Sequence, residues 1–141
     1  MAEIGLVASI VGVLTSTAQA VSLVRGIQRA PLEATQILNQ LQTASAILSS
    51  LKMTLNTVHR PQEFLLIWDR STRLALRNIS LTIQQLNQQL GGHDRRLIRR
   101  IRLSIWTTVT WPLNREEGLI LQQQLQGYMQ MLAIAQNALL Q

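Results

Sequence analysis

The chain has 141 residues and 15.9 kDa, enough for one domain that buries about two-thirds of the surface its unfolded form exposes. Its hydrophobic fraction is 47% but its charged fraction only 14%, against about 25% in an average domain, which argues against disorder; only one stretch is apolar enough to span a bilayer, which argues against a polytopic membrane protein. The few charges give a net +6, which favours anionic partners, and the absence of Cys excludes disulfides, thiol nucleophiles and Cys-based metal sites.

The spacing predicts an all-α, single-domain bundle of about five helices over residues 1–141, with no β-sheet, because no segment alternates apolar and polar residues for long. The first helix covers about 1–28. It has no charged side chain from Ile4 to Val24, 21 residues, about the length that crosses a bilayer core. Ile4, Val7, Val11, Leu14, Ala18 and Val21 form one apolar row, and Leu6, Ile10, Val13 and Val24 lie beside it. Gly5, Ser9, Gly12, Ser16 and Gln19 form a small or polar strip that lets another helix come close. Three readings compete for this segment. A signal peptide is opposed by Glu3 and the lack of Lys or Arg before the apolar run. A permanent transmembrane helix is weakened by Ser, Thr and Gln after Leu14. A helix central in a bundle accounts for apolar residues on nearly every side.

Pro31 opens the second helix, with Glu33 in its first turn and a stripe of Ile37, Leu38, Leu41, Ala44, Ile47, Leu48, Leu51 and Leu55. Pro61 opens the third, which carries Leu65, Trp68, Leu76, Ile79, Ile83, Leu86 and Leu90 and stops at Gly91-Gly92. Arg70, Arg73 and Arg77 form a row on it that reads as a solvated face, and Asp69 pairs with Arg73 at i,i+4. The fourth helix starts near Asp94 and runs to about Thr110. It holds Arg95, Arg96, Arg99, Arg100 and Arg102 opposite Leu97, Ile98, Ile101 and Ile105, a basic amphipathic pattern. That face suits four roles: plain solvation, anionic headgroups, the carboxylates of a protein partner, and nucleic-acid phosphates. Nucleic acid ranks last, since no aromatic stacking platform or known motif accompanies the arginines. Trp111-Pro112 breaks the chain, and Trp111 either fills the end of a core or, with Trp106, sits at a lipid interface. Asn114 with Glu117 resembles a capping box for the fifth helix, whose stripe is Leu121, Leu125, Tyr128, Leu132 and Ala135. The glutamine runs at 84–89 and 122–124 read as solvated faces.

No constellation for catalysis stands out. His59 and His93 have no second ligand at metal spacing, the carboxylates are scattered except for Glu116-Glu117, and no phosphate-cradling or nucleophile motif occurs. The expectation is a protein that is not an enzyme and needs no metal or cofactor.

The opening Met1 to Val13 resembles the start of the fungal N-terminal domain of STAND (NLR-like) proteins, which belongs with the HeLo-like helical bundles. Gly26 to Pro31 resembles that family's short junction, Leu41 to Leu51 its second helix, and Arg100 to Leu140 its C-terminal block with Trp-Pro-Leu before a long Leu-rich helix. The chain departs from the family in favouring Gln and Arg where Lys and Glu are usual. The resemblance implies a HeLo-like effector domain of a fungal innate-immune receptor, of the kind associated with programmed cell death and heterokaryon incompatibility, with a nucleotide-binding module following. It implies a domain cytoplasmic at rest that oligomerises and targets the plasma membrane. Carried onto this chain, the membrane-inserting residues are Ile4, Leu6, Val7, Ile10, Val11, Val13 and Leu14, and Glu3 is the pore-lining candidate. On that reading the Arg95–Arg102 face meets anionic phospholipid. The alternative is an adaptor bundle that works by protein–protein contact, with Ile4 to Val24 purely core.

Overall fold

The computed structural model describes residues 2–27, 31–57, 60–90, 111 and 113–140, with side chains for all of these except residues 2–4 and 62. Among the described residues there are four helices and no strand: α1 (Ala2–Arg25), α2 (Leu32–Thr57), α3 (Gln62–Gln89) and α4 (Arg115–Leu140). The expected helix from Asp94 to Thr110, and with it Arg95, Arg96, Arg99, Arg100 and Arg102, lies outside the described residues. So do His59, His93, Gly91-Gly92 and Trp106.

The boundaries follow the sequence punctuation. α1 stops at Arg25, three residues short of the expected end, because Gly26 is a poor helix former and turns the chain, its N–H reaching the Ser22 carbonyl at 3.2 Å. Pro31 opens α2 by accepting from the N–H groups of Ala34 (3.0 Å) and Thr35 (3.3 Å), and its own missing donor is of no consequence there. Pro61 precedes α3 with φ −56° and accepts from the Leu65 N–H at 3.1 Å. The expected cap at Asn114 is present: its side-chain oxygen accepts from the Glu117 N–H at 2.8 Å.

Each helix buries a seam with alternating spacings of three and four. In α1 it is Leu6, Ile10, Val13, Thr17, Ala20 and Val24, continued by Ile27. In α2 it is Ala34, Ile37, Leu41, Ala44, Leu48 and Leu51. α3 uses Leu76, Ile79, Ile83, Leu86 and Leu90, with Trp68, Thr72, Ala75 and Thr82 on its flank. α4 uses Gly118, Leu121, Leu125, Leu132 and Leu139, with Tyr128 and Ala135 partly buried in the gaps. A repeat averaging 3.5 residues is the pattern of near-parallel, interdigitating helices.

α1 packs on α2 and α3, and α4 packs on the same two helices, so α1 and α4 are diagonal, as are α2 and α3. α1 and α3 run parallel, since Gly5 lies by Arg73 and Ser16 by Asn87. α2 and α4 also run parallel: Gln40 donates to the Gln122 carbonyl at 3.2 Å, and Gln136 donates to Ser50 about three turns further along α2 and about four along α4. Gln122 therefore faces α2 instead of only solvent, and also donates to Gln36 at 3.2 Å. α3 and α4 are antiparallel and stitched where the Trp68 indole N–H donates to the Ala135 carbonyl at 2.7 Å. At the same end, the Arg60 guanidinium donates to the Leu139 carbonyl from Nε (3.0 Å) and Nη2 (2.8 Å), satisfying a last-turn acceptor and placing positive charge at the negative end of α4.

A candidate membrane-active helix and the surface beside it

α1 is apolar around most of its circumference, and the bundle has to choose one side of it. It buries the second row of the sequence reading: Leu6 (1% exposed), Ile10 (0%) and Val13 (3%) are core. The first row falls on the flank toward α2 and on the outer surface. Val7, Leu14 and Val21 are half-buried, while Val11 is 41% exposed and Ala18 is exposed. Ile4 and Glu3 belong to α1, but their side chains lie outside those described. The seven candidate inserting residues thus divide into three that hold the bundle, three that border its surface and Ile4. The most apolar 18-residue window within Gly5–Arg25 has a mean hydropathy of 1.7; 28% of it is buried, and Leu14, Val21 and Leu23 pack half-buried against the core.

The polar groups of α1 are largely satisfied within the helix. Ser9 Oγ donates to the Gly5 carbonyl at 3.0 Å, Thr15 Oγ1 to the Val11 carbonyl at 2.9 Å and Thr17 Oγ1 to the Val13 carbonyl at 2.7 Å. This explains why Thr17 sits fully buried in an apolar seam. It also lessens the objection that hydroxyls make α1 a weak span, since such bonds travel with the helix into any solvent.

The small strip of α1 lies toward α3, which meets it closely only near Gly5 and Ser16. The Arg73 guanidinium passes so close to Gly5 that a Cβ there would fall 2.9 Å from Nη2. Asn87, only 7% exposed, donates from Nδ2 to the Ser16 carbonyl at 3.1 Å. The expected i,i+4 pair is made, with Arg73 Nε 2.8 Å from Asp69 Oδ2. Between these contacts lies an open groove of about 580 Å³, floored by Gly12 and Val13 and walled by Arg73, Arg77, Ser80 and Leu81. A Cβ at Gly12 would meet nothing within 4 Å.

At the opposite end of the bundle, the Glu33 carboxylate lies against the first turn of α4. The Trp111 indole N–H donates to its Oε2 at 3.2 Å, and a Cβ on Gly118 would overlap the carboxylate. Trp111 is thus partly buried at a core end, next to Glu33, where the chain enters α4. Sequence reasoning missed the Glu33–Gly118 contact; the only hint was a glycine following Glu116-Glu117 in an otherwise strong helix former. It also missed Asn87, whose one signal was an Asn directly after the core residue Leu86.

Among the described residues, no group of three or more His, Asp or Glu side chains comes together as a metal site would require. Comparison with family models, with curated proteins and with solved structures finds no match to the chain.

Proposed function

We propose that the chain is a membrane-targeting effector bundle whose first helix leaves the core on oligomerisation and enters an anionic bilayer, permeabilising it. The observation that carries this reading is α1 itself: an 18-residue window at mean hydropathy 1.7, with no charged side chain from Ile4 to Val24. Having no charge, that stretch breaks no ion pair of its own when it detaches, and its Ser9, Thr15 and Thr17 hydroxyls remain bonded to its own backbone. What it gives up is the hydrogen bond from Asn87 to the Ser16 carbonyl and the apolar contact of Leu6, Ile10, Val13, Ala20 and Val24, and a hydrocarbon core solvates those apolar side chains equally well. The family resemblance extends the reading to cell death under a fungal NLR-like receptor, with a nucleotide-binding module downstream driving homo-oligomerisation. It places the domain in the cytoplasm at rest and at the plasma membrane on activation, with no enzymatic step, and with Glu3 at the leading end of the inserted helix.

Leakage from phosphatidylserine-containing vesicles tests this. Val11→Asp with Ala18→Asp alters the outer side of α1 and leaves its core seam intact. Near a bilayer centre each Asp costs about 2.5–3.5 kcal/mol of insertion. The double variant is expected to stay helical and to leak far less than the wild type; equal leakage would refute insertion of α1.

A second reading, an adaptor bundle acting by protein contact, is favoured by one observation. The α1 seam is an integral part of the core, with Ile10 fully buried, which is how a permanent structural helix behaves. On that reading no vesicle leaks under any condition, while the isolated bundle still binds its protein partner.

A further inference from the structure

We propose that the outer face of α3 is the surface on which the bundle docks to an anionic bilayer before α1 moves. This inference rests on the membrane reading above and names the face that delivers it. Ile67, Arg70, Leu74, Arg77 and Leu81 follow one another at spacings of three and four along that face. Ile67 is 71% exposed, Leu74 58% and Leu81 49%, large apolar side chains that a helix serving only solvent would not present in register. Both arginines are exposed, and the one ion pair formed among the described residues uses neither of them.

The chemistry of the row selects its occupant. A partner helix wants every position of a three-and-four seam apolar, whereas here Arg70 and Arg77 interrupt it at alternate positions. A second copy laid face to face in full overlap would set those arginines against their own kind, with Glu63, four residues before Ile67 in the same row, the one carboxylate to offset them. Residues 91–110 are a poor cover for the same reason, since they carry five arginines against the single carboxylate of Asp94. A bilayer interface accommodates the mixture: Leu and Ile enter the acyl boundary while each guanidinium extends along its stem to a phosphate. The face also borders the groove at Gly12, with Arg77 and Leu81 on the groove wall, so docking through α3 lays the outer side of α1 beside the membrane.

The experiment measures binding to sedimenting vesicles of phosphatidylcholine, with and without phosphatidylserine, alongside leakage and thermal unfolding. Arg70→Gln with Arg77→Gln is expected to lower affinity for the phosphatidylserine vesicles about 30-fold, equivalent to about 1 kcal/mol per arginine, with unfolding unchanged. Leu74→Gln with Leu81→Gln, which leaves charge alone, is expected to weaken binding to the same vesicles without altering its dependence on salt. Val11→Gln with Ala18→Gln, which adds no charge to the side of α1 laid beside the bilayer, is expected to bind like the wild type and fail to leak. Wild-type affinity in the Arg70/Arg77 variant overturns the proposal, including the case in which glutamines at Arg95–Arg102 abolish binding instead. A wild type that ignores vesicles but forms a dimer broken by the Arg70/Arg77 change also overturns it, assigning the face to self-association. Docking through α3 without leakage from any protein would leave this inference standing and sink the insertion of α1.

Discussion

Ile10 and Val11 are neighbours in sequence, yet the bundle treats them oppositely, and truncating each to Ala measures the difference. Ile10 is 0% exposed, and removing its side chain to Cβ leaves a cavity in close-packed surroundings, which costs about 2–5 kcal/mol. Val11 is 41% exposed, so its truncation gives up little more than one buried methylene, about 1 kcal/mol, and the better helix propensity of Ala returns about half of that. Unfolding entropy near 2.1 cal/mol/K per residue makes 1 kcal/mol equivalent to about 3 °C in Tm for a chain of 141 residues. Ile10→Ala should therefore lower Tm by about 7–17 °C and Val11→Ala by about 1–2 °C. Helicity followed by circular dichroism during heating, with urea titration as the check on slope, reads both. Equal losses, or a larger loss at Val11, would mean that α1 buries its other row and that the assignment of the core seam is wrong.

Three further outcomes are expected. Gly118→Ala, which in an open helix position would stabilise by about 0.4–1 kcal/mol, should instead lower Tm here by displacing Glu33, and should red-shift the fluorescence of the Trp111 that Glu33 holds; in a Glu33→Ala background the same change should turn stabilising. Asn114→Ala removes the acceptor for the Glu117 N–H and should cost about 1 kcal/mol, or about 3 °C, measured by thermal unfolding. Arg60→Gln strips the charged donor from the Leu139 carbonyl and should destabilise by about 1–2 kcal/mol, with amide exchange accelerating at the end of α4 before it does elsewhere; uniform acceleration would contradict a local capping role.

The helical class, the prolines that open α2 and α3, the Asn114 cap and the cores of α2, α3 and α4 were all legible, because each of those helices carries one continuous apolar seam at spacings of three and four. α1 was not legible to the same degree. With apolar residues on most of its circumference, its own sequence does not say which row the neighbours cover, and the choice is made by α2 and α3. The small strip at Gly5, Ser9, Gly12 and Ser16 lies toward α3, but α3 reaches it only through the side chains of Arg73 at Gly5 and Asn87 at Ser16, and at Gly12 a groove stands where close approach was expected. The diagonal placement of α2 and α3, consecutive helices joined by a short link, has no signature in periodicity. Gln122 and Gln136, indistinguishable by pattern from solvated glutamines, bridge to α2 because α4 runs parallel to it within side-chain reach. Exposed Ile67, Leu74 and Leu81 were hidden in the same way, since a helix with extra apolar residues reads as more core until its neighbours are placed.

If α1 leaves the core as proposed, the diagonal arrangement also decides what remains. Because α4 touches both α2 and α3, the other three helices stay joined as a row with α4 in the middle, held at one end by Trp68 and Arg60. That row keeps its secondary structure but has a newly bared inner side facing water. Such a species is stable only if something covers the side at once, and at high local concentration the nearest cover is the same row of another molecule. On the membrane reading proposed above, release of the helix and assembly of the molecules would then be a single thermodynamic event, steeply dependent on concentration.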